Sequence, residues 1–165
     1  MGAVRLVIAE PDADLRRELR SYLDSVGGFQ VAGEASSPED ALMLVEQLSP
    51  DVVLAGFPLE TPGDIETATR IRSSITSGGL ILLVSPEGTP GEIFSAITVG
   101  AAACIPRDTP GEFIASTLLR VAQGEQPIQY TLLSNHEVAS RVLNWIRETG
   151  QHPYVAVSSP CPLSP

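Results

Sequence analysis

The sequence has no apolar run close to the ~20 residues that a membrane-spanning helix needs. Its opening, Met1-Gly2-Ala3-Val4-Arg5, goes straight into a strand-like run and lacks the zones of a signal peptide. It is not a myristoylation start either, since Leu6 stands where that motif wants serine or threonine. Cysteine is scarce, and Cys104 and Cys161 lie too far apart to suggest a disulfide framework. A reducing cytosol therefore fits, with Cys104 read as a small core residue inside an apolar run. Positive charge is also short: 10 Lys and Arg stand against 20 Asp and Glu, a net charge of −10. A surface this acidic repels phosphate backbones, so the segment itself is expected to bind neither nucleic acid nor membrane. Catalytic groups are few. Neither histidine has a metal-ligand spacing, His136 reads as part of a helix start, and Cys161 lies in a polar tail, so no enzyme is expected.

What is present is an alternation of short apolar runs and amphipathic segments. With 165 residues, 43% of them hydrophobic, the chain can build one domain with a real core and a modest extension. The run Val52-Val53-Leu54-Ala55 is too short for a helix and lacks strict alternation. It reads as a strand buried on both faces, central in a sheet. Val4 to Ala9, Phe29 to Ala35, Leu80 to Val84 and Ala102 to Ile105 are the other strands, the second nearer an edge because it alternates. A helix follows each strand. Pro11 opens the first, with Leu15, Leu19, Tyr22, Leu23 and Val26 on its inner face. The second carries Ala41, Val45 and Leu48; the third Ile65, Ala68, Ile71 and Ile75; the fourth Ile93, Ala96 and Ile97; the fifth Ile114, Leu118 and Val121.

One device recurs four times: a hydroxyl residue, proline, any residue, then an acid. It stands at Ser37-Pro38-Glu39-Asp40, Thr61-Pro62-Gly63-Asp64, Thr89-Pro90-Gly91-Glu92 and Thr109-Pro110-Gly111-Glu112. The hydroxyl caps free N–H groups, proline presets the first helical φ, and the acid answers the helix dipole. These are structural signals, and they set the count at five strand–helix units. Right-handed crossovers then make a parallel sheet with helices on both faces.

Residues 1–124 form that domain, and 125–150 hold a connector and an extra amphipathic helix. Ser134-Asn135-His136-Glu137 reads as a capping box for this helix, with Leu133 and Val138 as a staple and with Val142, Trp145 and Ile146 along it. Residues 151–165 are rich in proline and serine and read as a linker, so the polypeptide is expected to continue.

The segments Ile8-Ala9-Glu10-Pro11-Asp12, Pro50 to Gly56, Leu82-Leu83-Val84-Ser85 and Gly100 to Arg107 resemble the receiver domain of bacterial response regulators, from about Val4 to Gln123. The phrases Val31-Ala32-Gly33-Glu34-Ala35 and Gly100-Ala101-Ala102 are most similar to the LuxR/NarL-type transcription regulators. The resemblance implies a flavodoxin-like α/β fold, a five-stranded parallel sheet in the order 2-1-3-4-5. It also implies a helix-turn-helix DNA-binding domain after the linker, a histidine kinase as partner, and homodimerisation. Partners in that family use the fourth helix, fifth strand and fifth helix, or the first and fifth helices. Ile97, Phe113 and Trp145 are the candidate interaction residues here.

Two-component phosphotransfer in that family needs an acid pair after the first strand, an aspartate ending the third, a Ser/Thr after the fourth and a lysine after the fifth. Carboxylates hold Mg²⁺, and the cations neutralise the transferred phosphoryl group. In this chain those positions read Glu10-Pro11, Gly56, Ser85 and Arg107. Glycine at the acceptor position offers no nucleophile and no metal ligand, so Mg²⁺ is not expected. Asp12, Asp51, Glu60 and Asp64 are poor substitutes by position. Glu10 and Arg107 either pair directly across the vacated gap or stand as two separate solvated charges.

The reading is a pseudo-receiver, the regulatory module of a LuxR/NarL-type regulator, acting through protein contacts. Two alternatives stay open. One is a small-ligand sensor with Arg107 and Ser85 binding an anion; the other is a phosphotransfer receiver with a displaced acceptor.

Overall fold

The computed structural model describes residues 2–128 and 136–149, except the side chains of Val138, Trp145 and Thr149. The expectations placed on Leu133, Ser134, Asn135, the Trp145 side chain, the linker 151–165 and Cys161 lie outside the described residues.

Five strands alternate with helices: β1 (Val4–Ala9), α1 (Ala13–Val26), β2 (Phe29–Ala35), α2 (Pro38–Leu48), β3 (Val52–Ala55), α3 (Pro62–Ser73), β4 (Gly79–Val84), α4 (Pro90–Val99), β5 (Ala103–Pro106) and α5 (Gly111–Ala122). A further helix, α6, covers His136–Thr149. The sheet order is β2-β1-β3-β4-β5, with every pairing parallel. The central strand is β3, as its unbroken apolar run implies, and all four of its residues are fully buried. The alternating β2 lies at an edge.

Side chains of one strand parity pack beneath α1 and α5: Leu6, Ile8, Leu54 and Ile81 meet Leu19, Leu23, Ile114 and Leu118. The other parity, Val7, Val53, Leu80 and Leu82, packs beneath α2, α3 and α4. Each fully buried side chain of this size contributes roughly 1.5–3 kcal/mol, which is why a period of two in the strands sets both layers. Cys104 packs against the core as expected. Burial first, then the charge of Glu92, pushes its thiol up to about 12, so it stays protonated and unreactive at neutral pH.

Three expectations change. Helix α1 starts at Ala13 rather than at Pro11, because the Asp12 side chain accepts from the N–H groups of Asp14 and Leu15 and so takes the cap. Val26, the last residue of α1 before the turn at Gly27, is exposed rather than inward. The fourth cap is absent as well. Ser37, Thr61 and Thr89 each accept from the backbone three residues on, but α5 begins at Gly111 with Pro110 in the cap position and no side-chain cap. Thr109 thereby lies one residue before the cap position, its own N–H turned back to the carbonyl of Pro106.

Helix α6 lies on α4. Val142 is buried there, Ile146 is half-buried, and the Arg141 guanidinium stands 6.0 Å from the centroid of the Phe94 ring. No described helix is long and apolar enough to cross a membrane.

The caps give a direct check on this account. Thr61→Ala should cost about 1 kcal/mol in urea unfolding, since Thr61 and Asp64 form a reciprocal box. Thr109→Ala, which removes no cap, should stay within about 0.5 kcal/mol.

Candidate functional site

The parallel sheet delivers Glu10, Gly56, Ser85 and Arg107 to one edge, each just after its strand ends. Continuing ladder bonds hold them in place: Gly56 N–H donates to Ala9 O at 2.8 Å, and Arg107 N–H to Val84 O at 2.9 Å.

Glu10 is the one charged or polar residue buried in the described core, at 1% exposure. An isolated carboxylate there would cost several kcal/mol, so its partners matter. Arg107 Nη1 donates to Glu10 Oε1 at 2.7 Å, and the Asp12 N–H donates to Oε2 at 2.9 Å. Arg107 Nη2 donates to the carbonyl of Gly56. One guanidinium thus joins the ends of β1, β3 and β5. The direct pair is formed, and the alternative of two solvated charges is not what the structure shows. The chain contains no lysine at all. Arginine suits this place because its planar fork addresses two oxygens at once, one on a side chain and one on the backbone.

Gly56 has a steric role that sequence reasoning missed. A Cβ at this position would overlap the Glu10 carboxylate, standing 2.9 Å from its Cδ and 3.1 Å from Arg107 Nη2. The space a side chain at 56 would fill is already filled by Glu10. The signal was present in the sequence as a longer acid in the first position and the smallest residue in the acceptor position.

Ser85 belongs to a different cluster. Its hydroxyl donates to Glu92 Oε1 at 2.5 Å and its N–H donates to Oε2 at 2.9 Å. Thr89 adds its N–H and hydroxyl, each at 3.1 Å from Oε1. Partial burial pushes the Glu92 carboxyl up, but the bonds from Ser85 and Thr89 outweigh it and hold the carboxyl below its ordinary range. Glu92 was legible in the sequence only as the acid of a capping box; its grip on Ser85 was not.

Three of the remaining acids are engaged elsewhere, and Glu60 is exposed in the loop after β3. Asp12 caps α1, and Asp64 closes the Thr61 box. Asp51 lies at the opposite end of β3, where it accepts from Arg5 N–H and the Ser77 hydroxyl. Pro11 is exposed and carries no donor or ligand. Among the described residues, no three His, Cys, Asp or Glu side chains converge as a metal site would require. Ile97 is corrected from the expected interaction surface. It is fully buried, because with Ile93 and Ala96 it lies on the face of α4 that meets the sheet. Phe113 is 58% exposed on α5 and remains a surface residue.

No family model matches the chain. Among curated proteins it is similar to the transcriptional regulatory protein LiaR of Bacillus subtilis, 24% identical over 149 residues that cover 90% of this chain and 67% of that one. It is also similar to the response regulator VraR of Staphylococcus aureus, 22% identical over 130 residues, 79% of this chain and 62% of the other. Among solved structures, the signal receiver domain of the putative response regulator NarL from Mycobacterium tuberculosis superposes with a TM-score of 0.67 at 27% identity, over 76% of this chain and all of that one. The chain spans about two thirds or less of the curated relatives' length. Its relatives are response regulators of the LuxR/NarL type, and its fold is that of their receiver domains.

Two variants probe the Glu10 cluster. Arg107→Ala strands a buried carboxylate and should destabilise the domain by about 2–3 kcal/mol in urea. That is below the full cost of breaking a buried pair, because the Arg107 side chain is 32% exposed. Gly56→Asp should destabilise at least as much by forcing Glu10 aside. Adding Glu10→Ala to Gly56→Asp should recover most of that loss, and strictly additive costs in the double-mutant cycle would refute the steric coupling.

Proposed function

We propose that this receiver-type chain is the regulatory domain of a transcription regulator and that it acts without phosphorylation at the usual strand end. One observation carries the reading. The place of an acceptor side chain is taken by the buried Glu10 carboxylate, which is already paired with Arg107. We infer likewise that no Mg²⁺ is held there. A hard cation wants several free oxygens, and the single carboxylate at this point is spent on a guanidinium and a backbone N–H.

In this reading Arg107 does permanently what metal and lysine would do for a charged phosphoryl group, tying β1, β3 and β5 into one arrangement. Output then runs through protein contacts in the cytoplasm: self-association, and contact with a DNA-binding region of a longer polypeptide, in keeping with the greater length of the relatives. The exposed Phe113 on α5 is a candidate contact residue, and Trp145 on α6 a second. A histidine kinase, if it binds, does so without transferring a phosphoryl group to this site. The anion-sensor alternative draws no support from the geometry, since the Ser85 hydroxyl already donates to a carboxylate and Arg107 is engaged.

Incubation with Mg²⁺ and acetyl phosphate, followed by intact mass measurement under neutral, rapid conditions, should show no added phosphoryl mass while an active receiver is labelled in parallel. A labile adduct mapped to an Asp or Glu near Gly56 would replace this reading with a displaced acceptor.

A further inference from the structure

A cleft of about 170 Å³ opens between the loop after β3 and the start of α4. Phe57, Leu82 and Val84 form its apolar floor, each less than a tenth exposed, while Leu83 turns its side chain to the other face of the sheet. The α4 wall is made of Gly91 and Ser95, small residues that leave the space open, and Glu60 and Glu92 stand on its rim. On the far side, Arg141 of α6 reaches Gly91: a Cβ there would lie 3.2 Å from Arg141 Nη1.

We propose that this cleft is a docking socket for one apolar side chain carried on a positively charged segment of a partner protein. Its volume is below the roughly 300–1,000 Å³ of sites that enclose drug-sized ligands, yet its floor is apolar enough to seat a single anchor. Charge selects the carrier. Glu60 is exposed, and Glu92 accepts from Ser85 and Thr89, so the floor is approached past two carboxylates, with the Arg141 guanidinium as the cation beside Gly91, on a chain of net charge −10. An acidic segment would be repelled from this cleft, whereas a basic one is steered in. The socket lies at the carboxyl ends of β3 and β4 and shares Glu92 with Ser85, so an occupant would act directly on the α4 start.

The inference rests on the reading that this domain works through protein contacts. A phosphoryl adduct would remove that reading without touching the socket, and an empty socket would leave the reading standing.

The test uses the full chain, ¹⁵N-labelled, titrated to millimolar concentration with an acetylated arginine–phenylalanine–arginine amide. Saturable amide shifts centred on Leu59, Gly91 and Ser95 are expected. Ser95→Leu fills the cleft and should abolish them, with thermal melting used to confirm folding. Glu60→Arg, which leaves the core untouched, should weaken binding about two- to fivefold. The aspartate–phenylalanine–aspartate analogue should not bind. Absence of saturable shifts, their persistence in Ser95→Leu, equal binding of the acidic analogue, or tighter binding of phenethylamine than of the peptide would each overturn the proposal, the last by making the site one for a small amine.

Discussion

The buried carboxylate of Glu10 constrains the whole carboxyl edge of the sheet. A charge at 1% exposure survives only with near partners, and Arg107 supplies the main one across 97 residues of sequence. Its second arm reaches the carbonyl of Gly56. Glycine at 56 follows from this, because any Cβ would enter the space of the carboxylate. Three residues on three strands therefore depend on one another, and none can change alone without cost. A buried pair of this kind is weak evidence for stability over an apolar alternative. What it does secure is a single arrangement of three strand ends.

Beside this cluster lies a second one with a different logic. Glu92 is at once the third residue of α4, the reciprocal partner of Thr89 and the acceptor for Ser85. It ties the end of β4 to the start of the helix that follows. The two clusters divide the strand-end groups between them, Glu10 with Gly56 and Arg107 on one side, Ser85 with Glu92 on the other. Helix α4 itself carries almost no charge and has no exposed residue. A helix apolar on most sides must be covered on both: the sheet covers Ile93 and Ala96, and α6, with Arg141 over Phe94, lies on its outer side. The extra helix is thus part of how α4 is buried.

Among the described residues, near-neighbour pattern was enough to place the five strands and the helix after each, the central position of Val52 to Ala55, the edge position of β2 and three of the four caps. Each rests on near-neighbour chemistry: a period of two or of 3.6, a hydroxyl before proline, an unbroken apolar run. Which groups occupy the strand ends was equally legible, since a parallel sheet brings its carboxyl ends to one edge. How those groups are used depends on contacts between residues far apart in the chain. Local pattern did not show that Thr109 falls outside α5 or that Ser85 turns to Glu92; the Asp12 cap on α1 was a local signal that the reading of Pro11 as the helix start passed over. Nor could it show that Gly56 is small because Glu10 lies in its space, as residues 10, 56 and 107 meet only when the sheet is assembled and Arg107 reaches back across the end of β4. Pairing across that distance depends on sheet order and side-chain reach, which no local window of the chain contains.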